Sequence, residues 1–98
     1  MLLLSGFRRL SSSSAVDLGV RVKQLNDMKQ FRKAIALFDK HDQKQQSTPV
    51  ATNQVLRACV ELSDFERGKD IHKRLSPYLA NNTFIRTSLI RLYSRSFN

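Results

Sequence analysis

The sequence contains little cysteine, tryptophan, proline or glycine, and each scarcity excludes a class of protein. Of its 98 residues one is Cys, none is Trp, two are Pro and three are Gly. The single cysteine, Cys59, excludes an internal disulfide and a cysteine-based metal cluster. No apolar run approaches the roughly 18 residues that a membrane-spanning helix needs. We therefore expect no transmembrane segment.

Sequence patterns of catalytic and cofactor sites are also missing. The chain has no glycine-rich phosphate loop, no pair of catalytic carboxylates, and no His-x-Glu followed by Cys-x-x-Cys, the signature of zinc deaminases. Asp39 lies among lysines and glutamines and is interpreted as an exposed residue. We predict that the protein is not an enzyme and that it uses no cofactor, no metal and no small-molecule substrate.

Basic residues are abundant. Seventeen Lys and Arg against eight Asp and Glu give a formal charge of +9 and a pI near 10.5. Arg8 and Arg9 are the only charged side chains in the first sixteen residues, so the rest of the chain has a formal charge of +7. A field of this sign favours polyanions such as RNA, DNA or an anionic membrane surface.

The N-terminal residues MLLLSGFRRLSSSSAV form a separate segment. They are rich in Ser and Arg and contain no acid, which is typical of a mitochondrial or plastid presequence. The stretch Arg8-Arg9-Leu10-Ser11 resembles sites that matrix peptidases cut, here after Leu10. A secretory signal would need a longer apolar core than Leu2 to Leu4. We predict a transit peptide over residues 1–14 and delivery to mitochondria, with plastids as the alternative.

The rest of the chain repeats weakly with a period of about 34 residues, a length typical of repeats built from a helical hairpin. At this offset Val22 aligns with Leu56 and Ile90, and Phe31 aligns with Phe65. The sequence therefore predicts units at about 15–48 and 49–82 and a partial unit at 83–98.

Local signals predict two helices in each unit and five helices in all. Thr48 before Pro49 predicts a capped helix start, and Asn81 and Asn82 are the candidates for the cap of another. Ser63 and Glu66 predict a capping box at the start of a further helix, and Pro77 is expected to end that helix. The fold class predicted is all-α: a right-handed α-solenoid of antiparallel helix hairpins. With two and a half units, we expect a fragment of a longer array or a truncated product.

Residues 55–72, VLRACVELSDFERGKDIH, resemble the long-type pentatricopeptide repeat, in which Leu-Lys/Arg-Ala-Cys leads to Gly-Lys-x-Ile-His. The stretch NTFIRTSLIRLYSRSF is similar to the start of the next unit in that family. The tetratricopeptide repeat has the same length but expects a Trp and a Gly-x-x-Tyr pattern, which this chain lacks.

The resemblance implies that the chain binds single-stranded RNA in an organelle, about one base per repeat. In the family, apolar residues at the second position of each unit hold a base between them, here Val16, Val50 and Phe84. The fifth and last positions contact the Watson–Crick edge of the base. The fifth positions are Gly19, Asn53 and Thr87, and the last positions are Thr48 and Asn82. Asn53 with Asn82 implies a pyrimidine, whereas Gly19 has no side chain with which to contact a base.

One observation is independent of the resemblance. Lys23, Arg57 and Arg91 are each separated by one repeat period, so each unit carries a cation one helical turn beyond its fifth position. Such a column would follow the phosphates of a single strand beside the stacking residues. The alternative is that a chain with 17 basic residues produces the column by chance.

Together these features predict an RNA-binding adaptor in organellar RNA processing or modification. Its expected partners are single-stranded RNA and RNA-processing proteins, and no membrane. The alternatives are a scaffold for protein–protein interaction similar to tetratricopeptide proteins, and a truncated fragment without function.

Overall fold

A computed structural model describes residues 14–42 and 48–97, with the side chains of residues 14–17 and 42 excepted. Residues 1–13 of the predicted transit peptide, with the cleavage site after Leu10, lie outside the described residues, whereas its last residue, Ser14, begins the first helix. The described part is all-helical, as predicted, and contains six helices rather than five: α1 (Ser14–Asp27), α2 (Phe31–Asp42), α3 (Pro49–Leu62), α4 (Phe65–Lys73), α5 (Pro77–Ala80) and α6 (Thr83–Ser96). None of these helices is long and apolar enough to cross a membrane.

The starts of α3 and α6 follow the predicted capping residues. The Thr48 hydroxyl accepts from the Ala51 amide at 3.2 Å, and Pro49 occupies the first turn, where its missing amide hydrogen costs nothing. Of the two candidates for the start of α6, Asn82 is the cap: its Oδ1 accepts from the amides of Phe84 and Ile85 at 2.9 and 3.1 Å, whereas Asn81 follows the end of α5. The two caps are one repeat period apart, so the sequence period corresponds to a structural one.

The turns that end α1 and α3 also repeat with this period. Lys29 and Ser63 both adopt left-handed backbone, with φ of 60° and 58°. The next amides close the same bond in each turn, Gln30 N to Leu25 O at 2.8 Å and Asp64 N to Cys59 O at 2.9 Å. This bond belongs to the Schellman motif, which satisfies carbonyls at the end of a helix.

Two predictions about helix ends are wrong. Ser63 ends α3 and does not cap α4; the cap is Asp64, whose carboxylate accepts from the Arg67 amide at 3.3 Å. Glu66 is exposed and lies 3.9 Å from Lys69, so the predicted capping box does not form. Pro77 does not end α4, which stops at Lys73, but begins the short α5 behind its cap Ser76.

The core is centred on α3, which packs against α1, α2, α4 and α6. Eight of its residues are buried, because α3 is covered on most of its circumference. The first helices of consecutive units are neighbours, α1 against α3 and α3 against α6. Each large apolar side chain that is fully buried contributes about 1.5–3 kcal/mol to folding. The members of the core include Leu18, Val22, Ile35, Phe38, Val55, Leu56, Cys59, Ile71, Ile85, Leu89 and Leu92.

Polar contacts connect successive units outside this core. Arg67 of α4 forms an ion pair with Asp39 of α2, so the interpretation of Asp39 as a solvated residue is wrong. His72 Nδ1 lies 2.7 Å from the Tyr93 hydroxyl, and the two rings meet edge to face at 5.5 Å. These contacts fix α4 between α2 and α6.

The outer face of α6 differs from the equivalent faces of α1 and α3. Val22 and Leu56 are fully buried, whereas Ile90, at the same place in its unit, is 69% exposed. Ile90 and Phe84 are large apolar residues of α6, but both are exposed and neither belongs to the described core. The right-handed solenoid remains a prediction.

Candidate nucleic-acid interface

The predicted RNA-binding residues of the second and third units lie along one side of α3 and one side of α6. At about 100° per residue, the second, fifth and ninth positions of a unit fall within about 60° of each other around the helix. These positions are Val50, Asn53 and Arg57 on α3, and Phe84, Thr87 and Arg91 on α6. Five of the six are exposed, and Asn53 is half-buried.

Val50 and Phe84 are large apolar side chains left in solvent. Val50 is 56% exposed and Phe84 is 71% exposed, although both belong to helices with a well-buried opposite face. Covering such residues with a flat apolar surface is favourable, because it removes apolar area from water. The corresponding residue of the first unit, Val16, lies outside the described side chains.

The two asparagines are positioned by hydrogen bonds that use their oxygen atoms. Asn53 Oδ1 accepts from the Ser88 hydroxyl, which joins α3 to α6. Asn82 Oδ1 is occupied in capping α6. In both side chains the Nδ2 group makes no hydrogen bond within the described residues. Each asparagine thus retains an N–H donor that suits an acceptor atom of a base.

The other polar positions of the interface are used locally. The Thr87 hydroxyl donates to the Thr83 carbonyl at 3.0 Å within α6, and the Thr48 hydroxyl caps α3. Gly19 is buried, and a Cβ built there would lie 2.8 Å from Val50 Cγ1 and 3.4 Å from the Ala51 amide nitrogen. The glycine therefore permits α1 to approach α3 closely and does not contribute to base contact.

The three cations are not equivalent. Lys23 Nζ forms an ion pair with Asp27 at 2.9 Å, so part of its charge is neutralised. Arg57 and Arg91 are exposed and form no ion pair in the described part of the chain. Both line a small depression between α3 and α6, together with Val60, Glu61 and Ser88. The residues four places further along are Asp27, Glu61 and Arg95, so the column becomes more positive toward α6.

Two buried polar residues beside this face were not identified from the sequence. Gln54 and Ser88 are each 7% exposed and lie one repeat period apart; Gln54 of α3 contacts α1, and Ser88 of α6 contacts α3. Gln54 Oε1 accepts from Asn26 Nδ2 at 3.0 Å, and Ser88 donates to Asn53. A polar residue recurring inside an apolar stripe at the repeat period was the available signal.

Other reactive groups in the described residues are few. Burial, and secondly the charge of Asp64, raises the pKa of the Cys59 thiol from 9.0 to about 12. The thiol is fully buried and is a core residue. Within residues 14–42 and 48–97 no three His, Cys, Asp or Glu side chains are grouped as metal ligands would be.

Comparison with known proteins gives no relative. No protein-family model, no curated protein and no solved structure matches this chain. The described residues define an all-helical protein in which α3 and α6 each present an exposed apolar side chain and an exposed guanidinium group on one side.

Proposed function

We propose that this protein binds single-stranded RNA through the exposed side of α3 and α6, as a pentatricopeptide-type right-handed α-solenoid. The observation that carries the proposal is the pairing of solvent-exposed Val50 and Phe84 with the exposed guanidinium groups of Arg57 and Arg91. An apolar platform beside a cation is the combination that holds a base and its phosphate.

The repeat architecture is supported by features that recur at the repeat period. The helix caps Thr48 and Asn82 and the left-handed residues Lys29 and Ser63 keep this spacing. A solenoid requires contact between neighbouring units, and the packing of α1 on α3 and of α3 on α6 supports this part of the proposal.

In the proposed complex a base lies between Val50 and Phe84 and is stacked on the Phe84 ring. Asn53 and Asn82 donate from Nδ2 to acceptor atoms on its edge. Arg57 and Arg91 bind the phosphates on either side through charge-assisted hydrogen bonds. With so few units, affinity is expected to be weak and to fall steeply with salt.

The cellular role rests on the resemblance and on the N-terminal composition. The resemblance supports an adaptor that positions RNA for processing or modification by other proteins. The Ser- and Arg-rich segment without acids supports delivery to mitochondria, with plastids as the alternative.

The test is binding of the full chain to short labelled single- and double-stranded RNAs of the same sequence over a salt series. We expect a single-strand preference that weakens when Arg91 is changed to Gln. The slope of log K against log salt should fall by about 0.7 for each phosphate that the protein no longer neutralises. Asn53→Ala should reduce affinity without changing that slope, because an amide carries no charge.

Arg86→Gln is the matched control. Arg86 is an exposed cation on the same helix but on another side, so its removal changes net charge equally. If Arg86→Gln and Arg91→Gln weaken binding alike, attraction is non-specific and the interface is wrong. If neither RNA form binds while an acidic or amphipathic peptide does, the protein-interaction alternative replaces the proposal.

A further inference from the structure

The turn between α1 and α2 borders two depressions that lie beside the proposed interface and share only Arg57 with it. One, of about 230 Å³, lies between α1 and α3 and is lined by Asn26, Asp27, Lys29, Phe31, Gln54, Arg57 and Glu61. The second, of about 280 Å³, lies over the start of α2 and is lined by Lys29, Gln30, Phe31, Arg32, Lys33 and Leu62. They share Lys29 and Phe31 and therefore adjoin.

The second depression is strongly basic. Lys29, Arg32 and Lys33 form no ion pair within the described residues, and no acid lines the depression. The equivalent turn, one repeat period later, carries Ser63, Glu66 and Arg67 and the capping carboxylate of Asp64. Two cations in the first turn of α2 are opposed by the helix dipole. Such a local conflict is typical of functional sites, where a bound anion would relieve it.

The first depression also differs from its equivalent. The matching space between α3 and α6 has about 10 Å³, since Val60 and Ser88 stand there in place of Asn26 and Gln54. In the larger space Asn26 Nδ2 donates to the Gln54 carbonyl at 2.8 Å and to its side-chain oxygen at 3.0 Å. This pairing fixes the amides, and the half-buried Phe31 ring borders the space.

We propose that these adjoining depressions bind one nucleotide unit of the RNA, with its base between α1 and α3 and its phosphate on Lys29, Arg32 and Lys33. Phe31 supplies an aromatic surface, and the Gln54 amide and the Glu61 carboxylate supply a donor and an acceptor for the base edge. This inference rests on the proposed function and extends it to a second region. Arg57 borders both the depression and the interface, so one strand can pass from the one to the other.

The left-handed backbone of Lys29 allows a test that does not weaken the fold. Glycine is the favoured residue at such a position, so Lys29→Gly removes a cation without backbone strain. The test variant combines Lys29→Gly with Arg32→Gln and Lys33→Gln. The control combines Ser63→Gly, which has the same conformation in the next unit, with Lys40→Gln, Lys73→Gln and Arg86→Gln. Both variants lose three positive charges.

The probes are uridine 5′-monophosphate, adenosine 5′-monophosphate and inorganic phosphate, titrated into the full-length ¹⁵N-labelled protein. We expect the nucleotides to shift the amide resonances of Gln54 and Phe31 as well as those of the α1–α2 turn. The test variant should bind them about tenfold more weakly than the control does. Replacing Asn26 by Val and Gln54 by Ser, which copies the closed groove, should remove the shifts at residue 54 and spare those at the turn.

The outcomes separate this site from the interface. If phosphate alone reproduces every shift, the turn is only an anion-binding patch and the base site is refuted. Equal nucleotide binding by the test and control variants also refutes the proposed nucleotide site. In that case the proposed function still holds if RNA binding depends on Arg91. Nucleotide shifts at the turn without RNA binding on α3 and α6 would instead refute the proposed function and support the site.

Discussion

Gly68 packs closely against Leu92, and this contact predicts how Gly68→Ala changes the free energy of unfolding. A second mutation, at Leu92, should reverse the sign of that change. A Cβ built on Gly68 would lie 2.5 Å from Leu92 Cδ1 and 2.7 Å from Cδ2. Leu92 is fully buried, so its side chain has little room to move away. The change Gly68→Ala therefore forces the two helices α4 and α6 apart or pushes Leu92 out of its rotamer.

Two opposing magnitudes decide the outcome. Alanine in a helix interior is favoured over glycine by about 1 kcal/mol. Inserting a methyl group into a well-packed contact costs about 1–3 kcal/mol. We expect Gly68→Ala to lower the free energy of unfolding by about 1 kcal/mol. In a Leu92→Ala background, where Cγ and both Cδ atoms of Leu92 are gone, the same change should raise it by about 1 kcal/mol.

Urea unfolding followed by far-UV circular dichroism measures all four proteins of this cycle. The matched control is Ala34→Gly, since Ala34 occupies the position of Gly68 in the first unit and Ala58 that of Leu92. Ala34→Gly should destabilise by about 1–2 kcal/mol, through helix propensity and the loss of one buried methyl group, with no steric term. If Gly68→Ala is equally destabilising with and without the Leu92 side chain, the steric argument is refuted.

Three further predictions concern stability. Thr48→Ala should cost about 1 kcal/mol in urea unfolding, and Thr48→Ser should restore most of it, because the hydroxyl caps α3. The pKa of the Cys59 thiol is about 12 in the folded state and 9.0 when unfolded, so the folded protein keeps this proton to higher pH. Its contribution to stability should thus fall by about 1.4 kcal/mol per pH unit between pH 9 and about pH 12, and the difference between wild type and Cys59→Ala should isolate this slope. Asp39→Asn should cost less than about 1 kcal/mol, and less again at high salt, since the ion pair with Arg67 is about one-third exposed; a larger cost in high salt would contradict solvent screening.

The helices and much of the core could be predicted because their signals are local. Thr48-Pro49 and Asn82 mark helix starts through hydrogen bonds to nearby amides, and both caps form. The apolar spacing of Val55, Leu56 and Cys59 predicts a buried stripe, and all three residues are buried. These features depend on chemistry that lies within one or two helical turns.

The errors occur where the backbone conformation, rather than the side-chain type, decides the structure. Ser63 is a residue type that often caps helices, but its left-handed backbone ends α3. The residue that caps α4 is therefore Asp64. Pro77 follows a helix that has already ended, and it starts a short one instead. Neither choice depends on hydrophobic spacing, so the sequence pattern could not distinguish them.

For the candidate interface, the sequence indicates which residues share a helix side but not which contacts they make. Val50, Asn53 and Arg57, selected from the repeat period, lie on one side of α3. It does not indicate that Lys23 is paired with Asp27, or that Asn53 accepts from Ser88. Those contacts depend on side-chain rotamers and on which residue of a neighbouring helix lies opposite. Both are set by tertiary packing, which the sequence pattern does not reveal.

The distribution of these groups implies a division of labour between the units. The first unit has a buried glycine where the others have a polar side chain, and the charge of its column cation, Lys23, is partly neutralised by Asp27. Its turn, however, carries three cations without an ion pair among the described residues, where the second unit has a capping carboxylate. Under the two proposals, therefore, the first unit binds RNA through its α1–α2 turn, while the second and third bind it through their first helices. A strand of fixed length would then gain affinity from both regions only if it were long enough to reach from Arg91 to Lys29.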